Sequence, residues 1–112
     1  MVYYRKPSKY HNQKTKTIDG LEFDSKREAA RWMELRMLER AGEIYNLRRQ
    51  VTFELIPKQE GERSCNYIAD FVYVDKHTNL TVVEDAKGVR TDVYKIKKKL
   101  MLWRYDIRIK EV

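Results

Sequence analysis

Two apolar runs separated by a polar turn constrain this chain more than any other stretch of it. Residues 67–74 and 81–87 are dense in β-branched and aromatic side chains, and residues 75–79 between them are polar, so the pair reads as a β-hairpin. Each run nevertheless carries an aspartate, Asp70 in the first and Asp85 in the second. Asp is depleted in strand interiors, and a carboxylate buried without a partner is costly. A fold built round this hairpin must therefore give both groups something to bind. Asp85 and Lys87 are two residues apart, which places their side chains on one face of a strand.

The flanking segments supply helices. Ser25 and Glu28 stand at the N-cap and third helical position of a capping box, and Gly42 ends a helix that runs to about Ala41. Glu28, Leu35 and Leu38 share one stripe of it, while Ala29, Met33, Met37 and Ala41 form another, so apolar residues are expected on both sides. Ahead of it, residues 15–23 alternate weakly around the turn dipeptide Asp19-Gly20. Residues 44–55 read as one extended segment or two short strands, ended by Pro57. Thr91 is an N-cap for a second helix to about Trp103, in which Val93, Ile96, Leu100 and Trp103 recur at helical spacing and Lys95, Lys98 and Lys99 fall away from that stripe. Residues 106–112 alternate as a last strand. The expected fold is α/β: helix, three strands, helix, strand, with a central mixed sheet flanked by helices, as one domain over residues 17–112 behind a basic arm at 1–16.

A chain of 112 residues with 42% hydrophobic residues has room for one core. Its 24 Lys and Arg against 17 Asp and Glu give a net charge of +7, which points to a polyanionic partner such as nucleic acid. The single Cys65 excludes an internal disulfide and a cysteine-based zinc cluster, and His11 and His77 are too few for a His-rich metal site. No apolar run approaches the roughly 20 residues of a membrane helix, and no secretory segment opens the chain, so the cytoplasm is the expected compartment and no membrane partner is expected. Arg5, Lys6, Lys9, Lys14 and Lys16 precede the first acid, with Tyr3, Tyr4, Tyr10 and His11 among them; this is either an arm that lies on phosphates and bases or a solvated, frayed terminus. Lys87, Arg90, Lys95, Lys97, Lys98 and Lys99 oppose Asp92 alone across 87–99, either clamping phosphates or forming a solvated helix face.

Three carboxylates, Glu28, Asp70 and Asp85, are oxygen donors of the kind hard divalent cations take. Lys87 beside them can hold or activate an attacking water, or stabilise charge developing on a phosphate. Each residue also has a purely structural reading. Asp85 and Lys87 can form a surface ion pair, Asp70 can accept backbone hydrogen bonds, and Glu28 can serve the capping box alone.

The order and spacing of these residues resemble the PD-(D/E)XK nuclease superfamily: a helix glutamate (Glu28), a strand aspartate (Asp70), then Asp85-Ala86-Lys87 as the (D/E)-x-K element. Ala69 stands where the name of the superfamily has proline. The phrases around Phe23–Ala29, Tyr67–Phe71 and Val83–Gly88 look more specifically like a small phage and prophage family, whose members are filed as resolvase-type endonucleases or without an assigned activity. The resemblance implies a restriction-endonuclease-like αβββαβ core. It also implies Mg²⁺-dependent hydrolysis of DNA phosphodiesters, with Mn²⁺ as a substitute, on branched or recombining DNA in a phage-encoded, host-cytoplasmic setting. In that reading Asp70, Asp85 and the Ala86 carbonyl ligate the metal, and Glu28 does so directly or through water. Lys87 positions and helps deprotonate the water. Lys9, Lys14, Arg90, Lys95, Lys97, Lys98 and Lys99 hold the DNA backbone. Gln50 either assists or is an ordinary surface amide. No small-molecule cofactor is implied. Cutting two strands takes two sites, which points to a symmetric homodimer. The competing readings are a non-catalytic nucleic-acid-binding module and a nuclease subunit of a larger complex.

Overall fold

The computed structural model describes residues 15–16, 20–86 and 89–112. The arm with Lys9 and Lys14, the turn residue Asp19, and Lys87 with Gly88 lie outside the described residues.

Helix α1 (Lys26–Arg40) starts where the Ser25 side chain accepts the backbone N–H of Glu28 at 3.1 Å, and it stops before Gly42, whose φ of +77° suits a residue without Cβ. Before it, β1 (Thr15–Lys16) pairs antiparallel with β2 (Glu22–Phe23). After it come β3 (Ile44–Ile56), β4 (Cys65–Asp75), β5 (Thr81–Asp85), α2 (Asp92–Tyr105) and β6 (Lys110–Glu111). The sheet order is β3-β4-β5-β6; β5 and β6 run parallel and the other pairs antiparallel, so the sheet is mixed. This is the αβββαβ order expected from the sequence. The crossover through α2 is what allows β6 to lie parallel beside β5.

Each helix covers its own apolar cluster. Trp32 and Leu35 of α1 pack with Phe23, Ile44, Phe71 and Tyr73. Tyr94 and Met101 of α2 pack with Leu55, Tyr67, Ala69, Val72, Val83 and Ile109.

The strands do not keep one face throughout. In β3, Leu47 belongs with the α1 cluster, whereas Val51, Phe53 and Leu55 belong with the α2 cluster. In β4, Tyr67 and Ala69 lie with α2 and Phe71 and Tyr73 with α1. All these positions are odd-numbered, and an unbroken period of two would hold each set on one side. Both strands switch across the same rung, between the pairs Arg49↔Phe71 and Val51↔Ala69. Gln50, inside that rung, has φ of +51°, the left-handed region that a side chain with Cβ rarely occupies.

Residues 44–55 fall in one bulged strand, the first of the two readings left open, with a register shift beside Asn46 (φ +56°). Two expectations change. Helix α1 is one-sided: Glu28, Ala29, Trp32 and Leu35 are buried and Met37 is exposed. On α2, Val93, Ile96 and Trp103 face outward, with Trp103 79% exposed, and Tyr94 and Met101 face the sheet. Lys97 and Lys98 are half-buried, their aliphatic stems covering ground that apolar side chains were expected to cover.

Candidate functional site

The carboxylates that stand out in the sequence come together at the rung where the sheet changes face. Asp70 lies in β4 at that rung, and its Oδ2 accepts the backbone N–H of Ala86, just past the end of β5, at 2.8 Å. Gln50, opposite in β3, donates through Nε2 to Asp70 Oδ1 at 3.4 Å and to Glu28 Oε1 at 3.3 Å. These two bonds are long, and one amide spans both carboxylates. Glu28 is buried at the start of α1, so its carboxylate turns to the sheet while its backbone N–H is capped by Ser25. Asp85 is 1% exposed and accepts the Tyr67 hydroxyl at 2.5 Å. Gln50, though exposed, thus bridges two of the candidate site carboxylates. Tyr67 joins the site without a sequence motif of its own, and only its place three residues before Asp70 hints at it.

Burial and crowding shape the electrostatics. Burial, opposed by the Ala86 N–H and reinforced by Glu28 and Asp85, pushes the Asp70 carboxyl up to about 7 from 3.8. Glu28 is also raised, by burial first and then by Asp24, while Arg49 and Gln50 pull it down. The Arg49 guanidinium lies 4.0 Å from the Phe23 ring centroid and 5.9 Å from that of Trp32, a cation near Glu28 that sequence spacing alone did not reveal. The Tyr67 phenol is held well above its usual range by burial and by Asp85, so it stays a donor.

On the opposite side of β5, Glu84 is fully buried. Arg31 grips it with two bonds of 2.7 Å, from Nε to Oε1 and from Nη2 to Oε2, and Tyr73 donates its hydroxyl to Oε2. Arg31 is three residues after Glu28 and Glu84 is one before Asp85. The fork therefore ties the start of α1 to the end of β5 and fixes where the two site carboxylates stand relative to each other.

Among the described residues, no three His, Cys, Asp or Glu side chains are grouped tightly enough to hold a metal ion by themselves. The donor set fits a cation that needs less than that. Asp85 is among the neighbours that raise the Asp70 carboxyl, so the two carboxylates stand near each other. Mg²⁺ takes one or two protein carboxylates and keeps several waters. A cation held by Asp70 and Asp85 would offset the mutual repulsion of the two carboxylates.

A family model described as a protein of unknown function (DUF1064) matches residues 7–111. The chain belongs to this family. No curated protein and no solved structure matched the chain. The matched range includes Glu28, Gln50, Asp70 and Asp85 together with both helices.

The basic residues divide into two kinds. Lys98 and Arg90 are engaged by Glu111, at 2.7 and 2.8 Å. Lys95 stands 4.0 Å from the fully exposed Asp92, and Lys99 is exposed. Lys97 is half-buried beside Ile68 and Val93 on the other flank of α2. No helix among the described residues is long and apolar enough to cross a membrane.

Proposed function

We propose that the chain is a metal-dependent DNA endonuclease that hydrolyses phosphodiester bonds, acting on branched or recombining DNA in a phage or prophage setting. The observation that carries this reading is the meeting of Glu28, Asp70 and Asp85, from three separate elements, at one rung of the sheet. A chain that only bound nucleic acid has no physical use for three crowded, desolvated carboxylates. The likeness to the PD-(D/E)XK order supports the assignment, and the branched substrate rests on that likeness alone.

Asp70 and Asp85 would hold Mg²⁺ or Mn²⁺, with the Ala86 carbonyl as a further donor and Glu28 reaching it directly or through water. When bound, the ion supplies Lewis-acid polarisation of the phosphate and a more acidic water. Lys87 would position the attacking water and stabilise the negative charge that develops as the water loses its proton to solvent. The new oxygen–phosphorus bond would replace the bond to the leaving oxygen, which would take its proton from solvent water. Gln50 keeps Glu28 and Asp70 apart and oriented. Cutting both strands takes two chains, paired symmetrically.

The test is incubation of purified protein with plasmid, linear duplex and four-way-junction DNA, each with Mg²⁺, Mn²⁺ or EDTA. Cleavage that requires the ion and favours the junction is expected. Binding of all three DNAs with no cleavage under either ion establishes the non-catalytic module instead.

A further inference from the structure

A hollow of about 480 Å³ opens between α2 and the segment leading into β6. Its walls are apolar: the Tyr94 ring, Leu102 and Ile109. Its rim is cationic, with Lys95, Lys98 and Lys99 from one side of α2 and with Arg90 and Arg108. The volume lies in the range of small-ligand sites. Five cations round an apolar interior select a ligand with a flat apolar body and an attached anion.

The rim is not uniform. Glu111 occupies Lys98 and Arg90, and its carboxyl is drawn below its usual range by Lys98. Lys95 has only the distant Asp92, and no carboxylate among the described residues pairs with Lys99 or Arg108. An incoming anion is therefore received by Lys95, Lys99 and Arg108, while Glu111 keeps the other two cations fixed in place.

Two packed aromatic side chains separate the hollow from the carboxylate site. Tyr94 forms the inner wall of the hollow and lies 6.4 Å, ring to ring, from Tyr67, whose hydroxyl binds Asp85. A ligand seated here is two aromatic side chains away from Asp85.

We infer that this hollow takes one unpaired nucleotide of the strand being cut, its base against Tyr94, Leu102 and Ile109 and its phosphate on Lys95, Lys99 and Arg108. The inference rests on the nuclease reading for the identity of that strand, but the binding it describes does not depend on cleavage. The protein then selects DNA with an unpaired nucleotide beside the scissile bond over continuous duplex. A base inside a duplex cannot enter such a hollow without being extruded.

The experiment is fluorescence anisotropy in EDTA with three labelled DNAs of equal length: single strand, blunt duplex, and duplex with one unpaired nucleotide. The wild-type chain should bind the first and third more tightly than blunt duplex by roughly fivefold or more, the lower end of what one accommodated base contributes. Leu102→Trp fills the hollow without changing charge; it should erase the preference and leave duplex affinity unchanged. Should that variant fail to fold by circular dichroism, the exposed Arg108→Glu serves instead and should erase the preference too. Equal binding of all three DNAs by the wild type, or an intact preference in a folded filled-hollow variant, overturns the inference. Metal-dependent cleavage alongside such a failure leaves the nuclease reading standing. A preference that follows the variants with no cleavage under any ion sustains the hollow and overturns the nuclease.

Discussion

Gln50 and Asp70 face each other across β3 and β4 at the rung where both strands turn their side chains from one face of the sheet to the other. Gln50 has φ of +51° there, a conformation that costs a residue with Cβ roughly 1–2 kcal/mol. Its amide spans Asp70 and Glu28, so the side chain that depends on this backbone geometry is the one that touches two of the three carboxylates. Strain of this kind persists where surrounding structure holds it in place, and it gathers at functional sites.

Replacing Gln50 separates strain from hydrogen bonding. Gln50→Ala keeps the unfavourable φ and loses both hydrogen bonds. Gln50→Gly loses the same bonds but accepts the backbone, so it should be the more stable of the two by about 1 kcal/mol. Both should lose at least about tenfold in cleavage, through Glu28 and Asp70 losing their alignment. Urea denaturation and initial cleavage rates check this; wild-type rates in both variants would reduce Gln50 to a backbone feature.

The crowding of Asp70 sets a pH dependence. Its carboxyl is raised from 3.8 to about 7, so between those values the folded protein holds more protons than the unfolded chain. Without metal, stability should therefore fall as pH rises through that window. Asp70→Asn should flatten the slope and raise the metal-free melting temperature near pH 7. It should also abolish cleavage. Divalent metal should offset the loss in the wild type by about 2.7 kcal/mol at roughly a hundredfold excess over Kd. Thermal melts at several pH values, with EDTA or Mg²⁺, read all of these; a flat wild-type profile with no metal shift would dissolve the proposed site.

Lys87→Ala should lower cleavage by about 10²–10⁴-fold and leave DNA affinity within a few-fold, because a group acting on water or developing charge contributes to the rate rather than to docking. Parallel turnover and anisotropy measurements decide it. A loss confined to affinity would move Lys87 from the reaction to the grip on the DNA backbone.

The Arg31–Glu84 fork should show the asymmetry of a buried ion pair. Arg31→Met leaves a fully buried carboxylate without its cation and should cost about 3–5 kcal/mol near neutral pH. Lowering the pH should recover part of that loss in the variant, since protonation removes the orphaned charge. Arg31→Met with Glu84→Gln should be less destabilised than Arg31→Met alone. Chemical denaturation at two pH values tests this, and equal stability of the single and double variants would show that the fork is not coupled.

On α2, Lys98 is already neutralised by Glu111 while Lys95 and Lys99 are not. Charge removal at Lys95 and Lys99 should weaken binding to duplex of any sequence and lower the log–log salt slope by about 0.9 for each phosphate that is no longer neutralised. Lys98→Gln should change the slope less. Titrations at several salt concentrations distinguish them, and an unchanged slope in the Lys95, Lys99 double variant assigns that face to solvent.

Much of the architecture was legible because local chemistry and fold agree. Ser25, Gly42 and Thr91 mark helix ends that the structure keeps, and the hairpin of β4 and β5 follows its composition. Glu28, Asp70 and Asp85 were legible because carboxylates in apolar surroundings need a reason. Gln50 stood only as an open alternative, since its bridging position comes from a left-handed backbone within a strand, and no periodicity announces a face switch. Helix α2 misled for a different reason. Its apolar residues at 93, 96, 100 and 103 and its buried pair, Tyr94 and Met101, both obey helical spacing, and lysine stems cover part of the inner face. Hydrophobic pattern alone cannot choose between two stripes of one helix.

The two apolar clusters share no residue, and the site stands on the seam between them. Glu28 rides on the layer of α1, and Asp85 projects among Tyr67 and Tyr94 on the layer of α2. The layers can therefore loosen separately. Detachment of α1 alone carries Glu28 away and releases Arg31 from Glu84, yet the cluster of Tyr94 and Met101 stays closed and most of the sheet remains paired. Such partial opening needs less free energy than global unfolding. Heat or denaturant should thus disable the site at a milder condition than the one that melts the chain, with amide exchange in α1 rising first.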